Sequence, residues 1–127
     1  MSPQILLVDD EAPLRELLSL YFRKKGFLVT TAMSVAEAKA ADKAGTFDLA
    51  ILDVDLAGEN GLDLLDHFTK QRPNMPVLIF TGLHADKELV EKALARGARG
   101  VMGKTRSLDD LLAEVRRQLR SSGQTAP

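Results

Sequence analysis

Five short apolar runs punctuate this chain: Ile5 to Val8, Phe27 to Ala32, Leu49 to Leu52, Val77 to Phe80, and Val101 with Met102. The first, third and fourth are continuous, a pattern that predicts strands buried on both faces under helices. The second mixes in Thr30 and Thr31, as an edge strand does.

Between the runs the period changes to that of a helix. Leu14, Leu17, Leu18, Tyr21 and Phe22 form one apolar stripe, with Pro13 in the first turn and Gly26 placed to cap the end. "SVAE" at 34 to 37 is a capping box opening an alanine-rich helix. Asn60 is placed to cap a helix carrying Leu64, Leu65 and Phe68, which Pro73 stops. Asp86 starts a helix ending at Gly97. Its thin stripe of Val90, Ala93 and Leu94 predicts a largely solvent-facing element. "SLDD" at 107 to 110 opens a last helix with Leu108, Leu111, Leu112, Val115 and Leu119.

Strand and helix thus alternate five times, the order that builds an α/β parallel sheet through right-handed crossovers. The 127 residues fit one domain with a core large enough to need no staples. The domain is read over 1–121, and the apolar-poor "SSGQTAP" end, 122–127 at its core, as a tail or the start of a linker. There is no cysteine, which excludes disulfides and cysteine-based nucleophile or metal sites. A net charge of -1 gives no argument for direct nucleic-acid or membrane binding. The first apolar run is too short for a membrane span or signal peptide, so a cytoplasmic location is expected.

In an open parallel sheet, function sits beyond the carboxyl ends of the strands. After the first run come Asp9, Asp10 and Glu11, after the third Asp53, after the fourth Thr81, and just past the fifth Lys104. Singly, such aspartates are most often helix caps or turn formers, and such a lysine a solvated charge. Together they converge from four strand ends on one edge of the sheet. Unpaired, Asp9, Asp10 and Asp53 would repel one another. A hard divalent cation removes that repulsion, and Mg²⁺ suits carboxylates. Thr81 and Lys104 can then donate to a phosphoryl group on Asp53.

The stretches "LLVDDE", "ILDVDLAGENGLDLL", "VLIFTG" and "GARGVMGK" together resemble the receiver domain of two-component response regulators, over roughly residues 4 to 120. The resemblance implies a flavodoxin-like doubly wound sheet of order 2-1-3-4-5 with five helices. It implies phosphorylation of Asp53 by a sensor histidine kinase, a phosphotransfer protein or a small phosphodonor. The domain would be a signalling switch, not an enzyme acting on separate substrates. By matching position, Asp10 binds Mg²⁺ directly and Asp9 assists through water. Asp53 contributes a carboxylate oxygen and Asp55 its backbone carbonyl. Thr81 hydrogen-bonds the phosphoryl group, Lys104 pairs with it, and Gly82 permits close backbone approach. The implied readout face is the fourth helix, fifth strand and fifth helix, offered to a downstream protein, an output domain or a second copy in a homodimer.

Three positions depart from the family pattern: Ala57 and Thr105 where proline is common, and Val101 where an aromatic residue serves as the switch. Valine cannot perform a large ring rotation, so Val101 reads either as an ordinary strand residue or as a weakened switch. Two other readings compete. One is a pseudo-receiver that binds partners without phosphorylation. The other is a haloacid-dehalogenase-like phosphatase, imitated by the D-x-D of "DVDLAG". The Asp9–Asp10 pair ahead of that motif and the short chain after it argue against the second. His67 is expected on a helix surface, and His84 in the loop after the fourth strand.

Overall fold

The computed structural model describes residues 2–82, 86–124 and 126–127. His84, expected near the site, lies outside the described residues. The elements run β1 (Gln4–Val8), α1 (Ala12–Lys24), β2 (Leu28–Ala32), α2 (Val35–Ala44), β3 (Leu49–Leu52), β4 (Asp55–Leu56), β5 (Glu59–Asn60), α3 (Gly61–Gln71), β6 (Val77–Thr81), α4 (Lys87–Ala95), β7 (Gly100–Gly103) and α5 (Leu108–Ser121). Five strands form one parallel sheet in the order β2-β1-β3-β6-β7, the doubly wound flavodoxin-like topology. The expected strand order holds, and β2 lies at an edge.

The continuous apolar runs are explained by which way successive side chains point. In β1, Ile5 and Leu7 face one helical layer, and Leu6 and Val8 the other. In β3 the split is Leu49 and Ile51 against Ala50 and Leu52, and in β6 Leu78 and Phe80 against Val77 and Ile79. One layer is built on Leu18 and Phe22 of α1 with Leu111, Leu112, Val115 and Leu119 of α5. The other uses Ala38 of α2, Leu62, Leu64, Leu65 and Phe68 of α3, and Ala93 of α4. Each fully buried Leu, Ile or Phe contributes about 1.5–3 kcal/mol of transfer free energy.

Helix ends follow the capping signals. The Ser34 hydroxyl accepts from Glu37 N–H at 3.1 Å, and the Glu37 carboxylate accepts from Met33 N–H at 2.9 Å. Asn60, Asp86 and Ser107 accept from Leu62, Leu89 and Asp110 N–H groups at 2.9, 2.8 and 3.0 Å. The α4 helix buries only Ala93, as its thin stripe predicts.

Three details differ from the sequence reading. Leu17, placed in the α1 stripe, is 51% exposed, because the buried arc is centred between Leu18 and Phe22 and takes in Ser19. His67 is half buried at the α2–α3 contact, its Nε2 3.5 Å from Asp42 Oδ2. It packs there because Asp42 is itself buried and also held by Arg72 Nε at 3.1 Å. Between β3 and α3 the chain also forms a small antiparallel hairpin, β4–β5, that no periodicity predicts. The C-terminal residues fold back, with Gln124 Nε2 donating to Asp48 Oδ1 at 2.8 Å and Ala126 packing on the α1–α5 layer.

Candidate functional site

Backbone pairing carries one residue past the strands and fixes the residues that follow them. Asp9 N–H donates to Ala32 O at 3.1 Å, Asp53 N–H to Val8 O at 3.0 Å, and Lys104 N–H to Thr81 O at 2.9 Å. Each charged side chain is therefore projected from a rigid sheet edge, at the carboxyl ends where α/β folds place their ligands.

Lys104 lies at the centre. Its Nζ donates to Asp53 Oδ2 at 2.7 Å and to Glu11 Oε1 at 2.7 Å, and lies 2.9 Å from Asp9 Oδ2. Asp9, Asp53 and Thr81 are 2%, 3% and 0% exposed. Asp9 Oδ1 accepts from Glu11 N–H at 2.9 Å, and the Asp9 carbonyl from Arg15 at 2.8 Å. Asp53 Oδ1 accepts from Asp55 N–H at 3.2 Å. Asp10, Glu11, Asp53, Asp55, Thr81, Gly82 and Lys104 line one cleft.

Burial pushes the Asp9 carboxyl above its ordinary range, with the Glu11 N–H and the Lys104 ammonium opposing it and the charge of Asp53 adding to it. For Lys104 burial acts downward, but the carboxylates of Asp53, Glu11 and Asp9 outweigh it and raise its pKa, so the ammonium stays charged at neutral pH.

Oxygen atoms from Asp9, Asp10, Glu11 and Asp53 all lie within 4.8 Å of one another. An oxygen-only, carboxylate-rich donor set suits a hard cation such as Mg²⁺. The Thr81 hydroxyl is buried and has no hydrogen-bond partner among the described residues. A buried hydroxyl normally finds a partner, so this one is available to a group entering the cleft.

The expected residues are brought together: Asp9, Asp10, Asp53, Thr81 and Lys104 share one sheet edge, and Asp55 follows in the hairpin. Val101 does not join them. It is half buried on β7, paired with Ile79, and packs against the α2–α4 layer. Two residues at the site had no role assigned from the sequence. Glu11 was visible after the first strand, but its ion pair with Lys104 spans 93 residues. Gly61 lies within the quoted stretch that carries the resemblance, but its role shows only in space: a Cβ built there would run into the Asp53 carbonyl oxygen, so only glycine lets α3 start this close to the Asp53 backbone. Ala57, in the place of a proline, has φ +51°, which a proline ring cannot adopt; with Gly58 at φ +90° it closes the hairpin.

A doubly wound sheet with this acidic edge has the architecture of a receiver-type signalling domain. The sequence matches the family described as "Response regulator receiver domain" over residues 5–116, and the chain belongs to that family. It is 33% identical over 121 residues to the probable transcriptional regulatory protein TcrX of Mycobacterium tuberculosis, covering 95% of this chain and 51% of that protein. It is 33% identical over 123 residues to the photosynthetic apparatus regulatory protein RegA of Cereibacter sphaeroides, covering 97% and 64%. The chain thus spans about half to two thirds of the length of these regulators.

Among solved structures, a CheY-like response regulator receiver domain protein from Methanospirillum hungatei superposes with a TM-score of 0.91 at 28% identity, covering 97% of this chain and 98% of that one. The receiver domain of NtrX from Brucella abortus gives 0.85 at 35% identity, covering 91% and 98%. The chain is a receiver domain of the two-component response-regulator family, a signalling domain and not a haloacid-dehalogenase-like phosphatase. No helix among the described residues is long and apolar enough to cross a membrane.

Proposed function

We propose that this receiver accepts a phosphoryl group on Asp53 and uses it as a reversible switch. The observation that carries the reading is the convergence of Asp53, Asp9 and Glu11 on Lys104 beside the unpartnered Thr81 hydroxyl. An Asp53 carboxylate oxygen attacks the phosphorus of a phosphohistidine or small acyl phosphate. A P–O bond to Asp53 forms as the bond to the donor's leaving group breaks. Lys104, already 2.7 Å from Asp53, pairs with the transferred group as a point charge, and the Thr81 hydroxyl donates to one of its oxygens.

Asp9, Asp10, Asp53 and the Asp55 carbonyl are the groups that would hold Mg²⁺. When bound, the ion neutralises charge on the phosphoryl oxygens. Lys104, which pairs with Asp9 and Glu11 as well as Asp53, would be released from those two carboxylates once a cation neutralised them, and could follow the phosphoryl group. Drawing Thr81 and Lys104 onto that group shifts the ends of β6 and β7 that carry them, and such coupling is typically worth ~1–3 kcal/mol.

The readout face is α4, β7 and α5, where Val101 stands in a groove with Arg99, Arg106 and Glu114. The partners are a sensor histidine kinase or phosphotransfer protein on the input side. On the output side stands a downstream protein or output domain; one matched relative, TcrX, is a probable transcriptional regulatory protein, which favours a DNA-binding output in the whole protein. A homodimer through the readout face is a second output route. The experiment that tests the reading is phosphoryl incorporation by the wild-type chain and by Asp53→Asn. A phosphorylation-independent interaction module would show none in either.

A further inference from the structure

The hairpin that follows Asp53 is clamped at three points. Leu56 is fully buried in the α2–α4 layer. Asn60 caps α3 by accepting from Leu62 N–H at 2.9 Å. The third point is Glu59, whose Oε1 accepts from Val35 N–H at 3.2 Å. Val35 is the first residue of α2, and its N–H is one of the donors that the helix itself cannot satisfy.

A carboxylate at a helix N-terminus is favoured by the helix dipole as well as by the hydrogen bond. The turn that aims Glu59 at α2 is specific to this loop. Ala57 and Gly58 both have positive φ, at 51° and 90°, and set Glu59 opposite Leu56 and Asn60 opposite Asp55. Without the Glu59 contact, the hairpin tip at Ala57 and Gly58 has no other side-chain tether among the described residues.

We propose that Glu59 is a positioning residue for the phosphoryl site: by latching the β4–β5 hairpin to the first turn of α2, it holds the Asp55 backbone where its carbonyl serves the cation. The inference rests on the Mg²⁺-dependent reading of the site. Glu59 is not among the residues that line the cleft or form its acidic cluster, so it would act only through the backbone of the loop.

Three variants test it, with Mg²⁺ binding measured by calorimetry on the whole chain. Glu59→Ala removes the acceptor and weakens Mg²⁺ binding about threefold to tenfold, the worth of one exposed hydrogen bond. Glu59→Gln keeps an amide oxygen that accepts from Val35 and stays within about twofold of wild type. Val35→Pro removes the donor at a helix position where proline is tolerated, after a Ser34 whose extended backbone suits a following proline. It weakens binding as Glu59→Ala does, and the double variant loses no more than either single one.

A merely stabilising contact would lower Tm in Glu59→Ala and Val35→Pro and leave Mg²⁺ affinity untouched, which would overturn the inference. So would equal loss in Glu59→Gln and Glu59→Ala, since that would assign the effect to the charge of Glu59. A wild-type chain that binds no Mg²⁺ would overturn the metal reading and this inference with it. Normal wild-type binding with unaffected variants would overturn the inference alone.

Discussion

Lys104 Nζ sits 2.7 Å from Asp53 Oδ2, inside the carboxylate cluster and held from two further sides by Glu11 and Asp9. The ammonium is the counter-ion of the resting site, and a divalent cation has to share the same oxygens. An ammonium and a divalent cation about 4 Å apart repel by roughly 8 kcal/mol at an effective dielectric near 20.

Replacing Lys104 by methionine should therefore tighten Mg²⁺ binding, by about tenfold once the lysine's freedom to move aside is allowed for. The same change leaves buried Asp9 and Asp53 without their cation, so the metal-free variant should lose about 1–3 kcal/mol of stability and regain it on adding Mg²⁺. Calorimetry and thermal melts read both effects. Unchanged or weaker Mg²⁺ binding would show that the lysine does not compete for the site.

Gly61→Ala places a methyl 2.1 Å from the Asp53 carbonyl oxygen and 2.8 Å from Val54 Cα, contacts that only a backbone shift relieves. The predicted cost is about 1–3 kcal/mol. A fall in phosphorylation rate is also expected, because the shift moves the strand end that carries Asp53. Melting and phosphoryl uptake measured on the same sample check this. A fully stable, fully active variant would mean that α3 does not set the position of Asp53.

Tyr21 gives a pH prediction remote from the site. Burial first, and then its hydrogen bond to Asp109, push the phenol up to about 12 from an ordinary value of 10.0. Between those values the folded chain binds more protons than the unfolded one, so the tyrosine's contribution to stability is present below pH 10 and lost as pH rises towards 12. It is the chain's single tyrosine, and there is no tryptophan, so phenolate absorbance reports it without overlap. Less than half should ionise by pH ~11 in the native protein. In Asp109→Asn the midpoint should fall yet stay above that of the unfolded chain, because burial remains. A native midpoint equal to the unfolded one would refute the contact.

Much of this architecture can be read along the chain. The strands of Ile5–Val8, Leu49–Leu52 and Val77–Phe80 are legible because both their faces meet helices, and burial on both sides leaves unbroken apolar runs. Asp9, Asp53, Thr81 and Lys104 are legible because strand ends in a parallel sheet must meet at one edge. The β4–β5 hairpin is not, since two-residue strands have no period and Ala57–Gly58 lacks the usual Asn-Gly or Asp-Gly turn signal. Leu17 misleads because a stripe drawn on leucines ignores Ser19, which is buried while Leu17 is exposed. The roles of Glu11, Glu59 and Gly61 exist only across space, through partners far away or through a backbone that leaves no room for a Cβ.

Phosphoryl acceptance by Asp53 is read most directly from the intact mass of the wild-type chain after incubation with acetyl phosphate and Mg²⁺, beside Asp53→Asn and a metal-free control. One added phosphoryl group is expected on the wild type, and none on Asp53→Asn or without Mg²⁺. An adduct that persists in Asp53→Asn would contradict it. So would a wild-type chain that gains no phosphoryl group and also fails to bind beryllium fluoride with Mg²⁺, the mimic of a phosphorylated aspartate.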